Sequence, residues 1–184
     1  KTLLPPVGSV LKKKKQILIY GRPSTARNAF ELLVYALKIW RKEMEHPEEW
    51  TVLSAGELHD DVSIGDNMVL HSVGKLTLEE YASMMLDTYA GVSLMVSPHP
   101  SYPPLEMASF GIKTITNRYG NKNLSDFSDN MVSLNTCSPR EIALTLTQLC
   151  RSYDGTGLVT DQPGYLSDGP EFGTIPEELS EELV

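Results

Sequence analysis

The sequence predicts an α/β fold built on a doubly wound parallel sheet. Three observations lead there. Short β-rich apolar runs alternate with stretches whose apolar residues recur at helical spacing, at lengths that suit strand–helix–strand crossovers. Two helix starts carry capping-box patterns, Thr77-Leu78-Glu79-Glu80 and Ser138-Pro139-Arg140-Glu141. The run 91–96 is nearly all apolar, as a strand buried on both faces must be.

Taken in order, residues 16–20 form a first strand that stops at Gly21, after which Phe30, Leu33, Val34, Leu37 and Trp40 mark an amphipathic helix. Residues 50–54 and 68–72 give the next two strands, with a polar loop over 56–67 between them. The Thr77 box opens a helix running to about Asp87. After the strand at 91–96, a Pro-stiffened loop enters a short helix around Pro103, with Glu106 expected in its first turn, and strands follow at 112–116 and 131–134. The Ser138 box, with Pro139 at the first helical position, opens a last helix to about Tyr153.

This reading divides the chain into a linker over 1–15 entering from an upstream domain, a binding domain over 16–153, and an acidic, Gly/Pro-rich tail over 154–184. The tail is expected to be poorly ordered or docked on another domain, with Ile175, Leu179 and Leu183 making an amphipathic turn or two among four glutamates.

Composition narrows the function classes. A net charge of −8 and a pI near 5.0 argue against nucleic acid as a general partner, because a phosphate-tracking surface needs clustered Lys and Arg. No apolar run approaches the ~20 residues needed to cross a bilayer. Lys12 to Lys15 read first as a solvated, aggregation-blocking edge and second as a contact for an anionic membrane surface. Cys137 and Cys150 lack metal-ligand spacing and read as half-buried thiols in a reducing compartment. His46 is expected at the surface and His71 in the core. His59-Asp60-Asp61 reads as solvated, so no metal and no cofactor are expected.

Three segments carry candidate chemistry. Gly21-Arg22-Pro23-Ser24-Thr25-Ala26-Arg27 joins the first strand to the first helix and offers a glycine for close backbone approach, two guanidinium groups and a helix N-terminus, all favourable to a diphosphate. Val73-Gly74-Lys75 ends the third strand ahead of a capped helix, where the glycine exposes backbone groups and Lys75 brings a compact positive charge. Glu106 is an acceptor-only group suited to two sugar hydroxyls. In an open parallel sheet all three segments fall at the carboxyl ends of the strands, where ligands bind.

These segments, together with Ser97-Pro98-His99-Pro100-Ser101-Tyr102-Pro103-Pro104-Leu105-Glu106, resemble the Rossmann-like C-terminal, donor-binding half of GT-B glycosyltransferases over residues 16–153. The resemblance is strongest to bacterial rhamnosyltransferases of S-layer glycan and rhamnose-rich polysaccharide synthesis. It implies that Gly21 and Arg22 meet the donor diphosphate, that Arg27 occupies the family's basic position, that Gly74 and Lys75 approach the nucleotide, and that Glu106 holds the nucleoside ribose. The family's other acid, eight positions earlier, falls on Pro98. His99, Ser101 and Tyr102 are the candidates to replace it against the donor sugar.

The expected activity is that of a hexosyltransferase acting from the cytoplasm or the inner membrane surface, with dTDP-rhamnose as donor and a glycan acceptor held by an N-terminal domain. Arg22 and Lys75 would assist departure of the diphosphate electrophilically. No residue reads as a general base, so the isolated chain is expected to bind donor without transferring sugar. The rival readings are a noncatalytic sugar-nucleotide-binding or interaction module and a GT-B-like sugar-nucleotide epimerase.

Overall fold

The computed structural model describes residues 3–99 and 101–160. Ile175, Leu179 and Leu183 lie outside the described residues. Seven strands form one sheet: β2 (Lys14–Gly21), β3 (Thr51–Gly56), β4 (Val62–Gly65), β5 (Met68–Gly74), β6 (Thr88–Val92), β7 (Lys113–Asn117) and β8 (Met131–Leu134). Their order is β4-β5-β3-β2-β6-β7-β8, parallel throughout except for the antiparallel β4–β5 pair. The chain starts in the middle at β2, winds outward to β5, then returns to the other side of β2 as β6. That reversal opens a crevice at the carboxyl ends of β2 and β6.

Alternation along β2 builds both faces of the core. Ile17 and Ile19 point to one face, where they meet Leu33, Leu37 and Trp40 of α1 (Phe30–Glu43) and Ile142 and Leu146 of α4 (Pro139–Arg151). Leu18 points to the other, where Met85 of α2 (Leu78–Asp87) and Met107 of α3 (Tyr102–Ser109) cover it. All three β2 side chains are fully buried, which explains the unbroken apolar run.

Several expectations are corrected. The loop 56–67 contains β4, which turns back onto β5 through Asp66 and Asn67 at φ 44° and 62°. Positive φ at both central residues is the geometry of a type I′ hairpin turn, so Gly65-Asp66-Asn67 carried the signal. The strand expected at 91–96 is shifted to Thr88–Val92. Beyond Ser93 the backbone donors leave the ladder, the Met95 amide going to Asn117 Oδ1 and the Val96 amide to the Arg27 carbonyl. His71 is exposed rather than buried, facing solvent where it pairs with Asp61 at 2.9 Å. His46 is exposed.

Of the two capping boxes, the one at Thr77 forms in both directions. At Ser138 no side-chain cap forms, and Glu141 instead accepts from the Thr136 hydroxyl.

The lysine block is not a bare patch. Lys13 is buried, Lys14 pairs with Asp87 and Lys15 with Glu49. Residues read as linker and tail form an antiparallel ribbon of β1 (Val10–Lys12) with β9 (Thr156–Leu158), so the start of the tail is ordered against this same domain. Among the described residues no helix is long and apolar enough to cross a membrane.

Candidate functional site

A cleft of about 490 Å³ opens at the sheet's carboxyl edge, beside the point where strand order reverses. Tyr20 and Arg22 reach it from the end of β2, and Ala55 and Gly56 from the end of β3. Lys75, Leu76, Thr77, Leu78 and Tyr81 line it from the approach to α2 and its first turns. Tyr102, Pro103 and Glu106 close it from α3.

The local sequence explains each placement. At Gly21 a β-carbon would stand 2.0 Å from Ser54 Oγ and 2.9 Å from the Phe30 ring, so only glycine lets β2 run this close to β3 before the turn. The turn is then tied down by Glu57, whose carboxylate accepts from the Ser24 amide at 3.2 Å and the Ser24 hydroxyl at 2.7 Å. Gly74 adopts φ +69°, which turns the chain out of β5 toward Lys75, and a β-carbon there would press on Leu58 at 3.3 Å. Thr77 Oγ1 accepts the Glu80 amide at 3.2 Å while Glu80 accepts the Thr77 amide at 2.9 Å, fixing the first turn of α2 against the cleft.

Glu106 sits one turn further along its helix than expected, because α3 begins at Tyr102 and has no acid in its first turn. Its position in the cleft is unaffected. Burial raises its pKa above the ordinary carboxylate value, and among the described residues no donor reaches its carboxylate. Beside it, burial and then the charge of Glu106 raise the Tyr81 phenol, whose hydroxyl has no hydrogen-bond partner among the described residues. Arg22 Nε is likewise buried and without a partner among the described residues. Unmatched polar groups of this kind are costly in a closed core and are usual where a ligand completes the network.

Arg22, Lys75, Tyr102 and Glu106 are therefore brought together. Gly21 and Gly74 lie directly behind the lining. Arg27, His99 and Ser101 do not line the cleft. Arg27 is exposed and accepts the Val96 amide of the loop after β6 through its carbonyl, His99 is exposed, and Ser101 is buried at the α3 N-cap. Tyr20, Gly56 and Tyr81 were not anticipated. Tyr81 stands four residues after Thr77 and so shares its helix face, a signal present in the sequence.

His59 Nδ1 donates to the Asp60 carbonyl at 2.7 Å, leaving Nε2 to accept from Ser54 Oγ at 2.8 Å. Both ring nitrogens are thus occupied. Among the described residues no group of three or more His, Cys, Asp or Glu is arranged to hold a metal.

Comparison with known proteins follows the same lines. The family description "WsaF, C-terminal domain" matches residues 15–147. O-antigen biosynthesis protein RfbC of Myxococcus xanthus is 34% identical over 102 residues, covering 55% of this chain and 8% of that protein. The chain thus spans a small fraction of that curated relative's length. The C-terminal domain of the group 1 glycosyl transferase LpcC from Francisella tularensis superposes with a TM-score of 0.58 at 18% identity, covering 77% of this chain and 78% of that one. Anabaena Alr3699/HepE, solved with UDP and glucose, gives a TM-score of 0.61 at 12% identity over 93% of this chain and 48% of that one. The fold is that of a GT-B glycosyltransferase C-terminal domain, and the match over most of its length makes this chain a member of the WsaF C-terminal domain family.

Proposed function

We propose that the chain is the donor-binding domain of a glycosyltransferase that moves a sugar, rhamnose, from a nucleoside diphosphate to a growing cell-surface glycan. The observation that carries this reading is the meeting of Arg22, Lys75 and Glu106 in one cleft of a volume suited to a small ligand. A guanidinium and an ammonium complement a diphosphate, and a carboxylate to which no described residue donates complements the two hydroxyls of a ribose. The Anabaena structure with UDP and glucose supports a nucleotide-sugar ligand for this fold.

In this reading, negative charge develops on the departing diphosphate, and Arg22 and Lys75 stabilise it where it appears. No general base for an acceptor hydroxyl is assigned to the described residues of the cleft. The acceptor and the remaining catalytic groups come from an N-terminal domain, so the chain alone binds donor and does not turn over. His99 and Ser101 precede α3, next to the Tyr102 wall of the cleft.

Calorimetric titration with thymidine, uridine and guanosine diphosphates tests the reading. Thymidine diphosphate is expected to bind tightest. No binding by any of the three would favour a noncatalytic module, and a guanosine preference would remove the rhamnose donor.

A further inference from the structure

Between β6 and α3, residues 94–99 make no ladder bonds, the last being that of the Ser93 amide. Pro98 adds a carbonyl and no N–H, so this stretch holds more acceptors than donors. The deficit is met from outside. Asn28 Nδ2 donates to the Leu94 carbonyl at 3.0 Å, and Asn117 grips Met95 twice, accepting its amide at 2.7 Å and donating to its carbonyl at 3.2 Å. Lys122, from the turn after β7, sends its ammonium to three successive alternate carbonyls: Met95 at 3.2 Å, Ser97 at 2.8 Å and His99 at 3.3 Å.

An ammonium has three N–H donors, and Lys122 spends all three on one loop. It is therefore not available to a ligand, although burial lowers its pKa and marks the cost of holding a charge there. The loop it gathers leaves β6 beside the Arg22–Arg27 turn, to which the Val96 amide is bonded at 2.8 Å, and enters α3 at Tyr102 on the cleft wall. The loop thus joins the Arg22–Arg27 turn to the Tyr102 wall, immediately outside the residues that line the cleft.

We propose that Lys122 is a positioning residue, holding the loop 95–99 as the wall of the subsite for the sugar of a nucleoside diphosphate sugar. The inference rests on the proposed function for the identity of the ligand and on the Lys122 contacts for the clamp. Pre-ordering a loop raises affinity only for the part of a ligand that touches it. Lys122 thus separates sugar recognition from nucleotide recognition.

The test compares the 184-residue chain with Lys122→Met and Lys122→Arg, titrating each with thymidine diphosphate and with dTDP-rhamnose. Lys122→Met is expected to weaken dTDP-rhamnose about tenfold while thymidine diphosphate stays within about twofold, and Lys122→Arg, which keeps several donors, is expected to recover part of the loss. Equal losses for both ligands, or no loss for either, would overturn the proposal. Amide hydrogen exchange without ligand gives a second reading. In Lys122→Met, exchange at Val96, Ser97 and His99 is expected to rise about tenfold while α1 and α4 are unchanged. Unchanged exchange at those three amides would overturn the clamp. Failure of the unaltered chain to bind either nucleotide would instead sink the proposed function, with exchange still deciding whether Lys122 holds the loop. If Lys122→Met does not fold, Lys122→Arg carries both comparisons, and indistinguishable sugar and nucleotide effects in it would count against the proposal.

Discussion

Lys13 donates to the carbonyl of Phe110 at 2.7 Å, and the same ammonium reaches the Met85 carbonyl at 2.9 Å. One side chain from the start of β2 thus joins the ends of α2 and α3, the two helices whose opposite ends line the cleft. Carbonyls at helix ends have no intrahelical partner, and a buried one left unmatched is destabilising.

Lys13→Met is therefore expected to destabilise the chain by roughly 1–3 kcal/mol, read by urea denaturation, chiefly by abandoning the Phe110 carbonyl, since that of Met85 keeps the Thr88 amide. Burial pushes the Lys13 amine down to about 7 from 10.5, with Asp87 opposing the shift. Because the folded value lies below the unfolded one, the folded state loses its proton first. Its contribution is fully present above pH 10.5 and is lost as the pH falls through about 7. The stability gap between the parent chain and Lys13→Met should widen as the pH rises from about 7 to 10.5, and a gap independent of pH would place the amine at its ordinary value.

Arg22→Ala is expected to cost roughly 1.5–3 kcal/mol in binding of a nucleoside diphosphate, a loss of about ten- to a hundredfold. The corresponding nucleoside, which has no phosphate, should bind both proteins alike. Calorimetry with the pair separates a diphosphate contact from general damage to the cleft.

Glu106 must be ionised to accept two ribose hydroxyls, yet burial raises its pKa. Nucleotide affinity should therefore fall on acidification at a pH above the ordinary carboxylate range, and Glu106→Gln should remove that dependence while weakening binding at neutral pH. The sign for the empty protein is opposite. A raised folded value favours folding below the unfolded pKa, and that contribution is lost as the pH rises through the folded one.

Thr77→Ala removes the oxygen that caps the Glu80 amide and the partner of its carboxylate. A loss of roughly 0.5–2 kcal/mol in stability is expected, typical of an N-cap. Since Thr77 and Leu78 also line the cleft, nucleotide affinity should fall with it, whereas Ser138→Ala, at a helix start with no side-chain cap bond, should change stability little.

Much of this was legible in the chain because it is local. The period of Phe30, Leu33, Leu37 and Trp40 sets a helix whatever lies across from it, and Thr77 and Glu80 are three residues apart, so their box needs no distant partner. The parallel order follows from element lengths, and that order carries the ends of β2, β5 and β6 to one edge. Arg22, Lys75 and Glu106 could be placed together for that reason alone.

What the sequence could not decide is which side of each loop turns inward. Arg22 and Arg27 stand on one turn with the same chemistry, and only packing beside Gly56 and Tyr20 sends the first into the cleft while the second faces solvent. Ser138 has the same pattern as Thr77, yet Thr136 takes its glutamate. Lys13 reads as part of a solvated charge block and Lys122 carries no signal at all until the fold brings carbonyls from distant segments around them. A lone amine has no sequence period, and its partners are chosen by the closure of chain segments far apart in number. That is why strands, helices and the edge that binds could be derived from residue order, while the individual side chains that hold the loops in place were settled only in three dimensions.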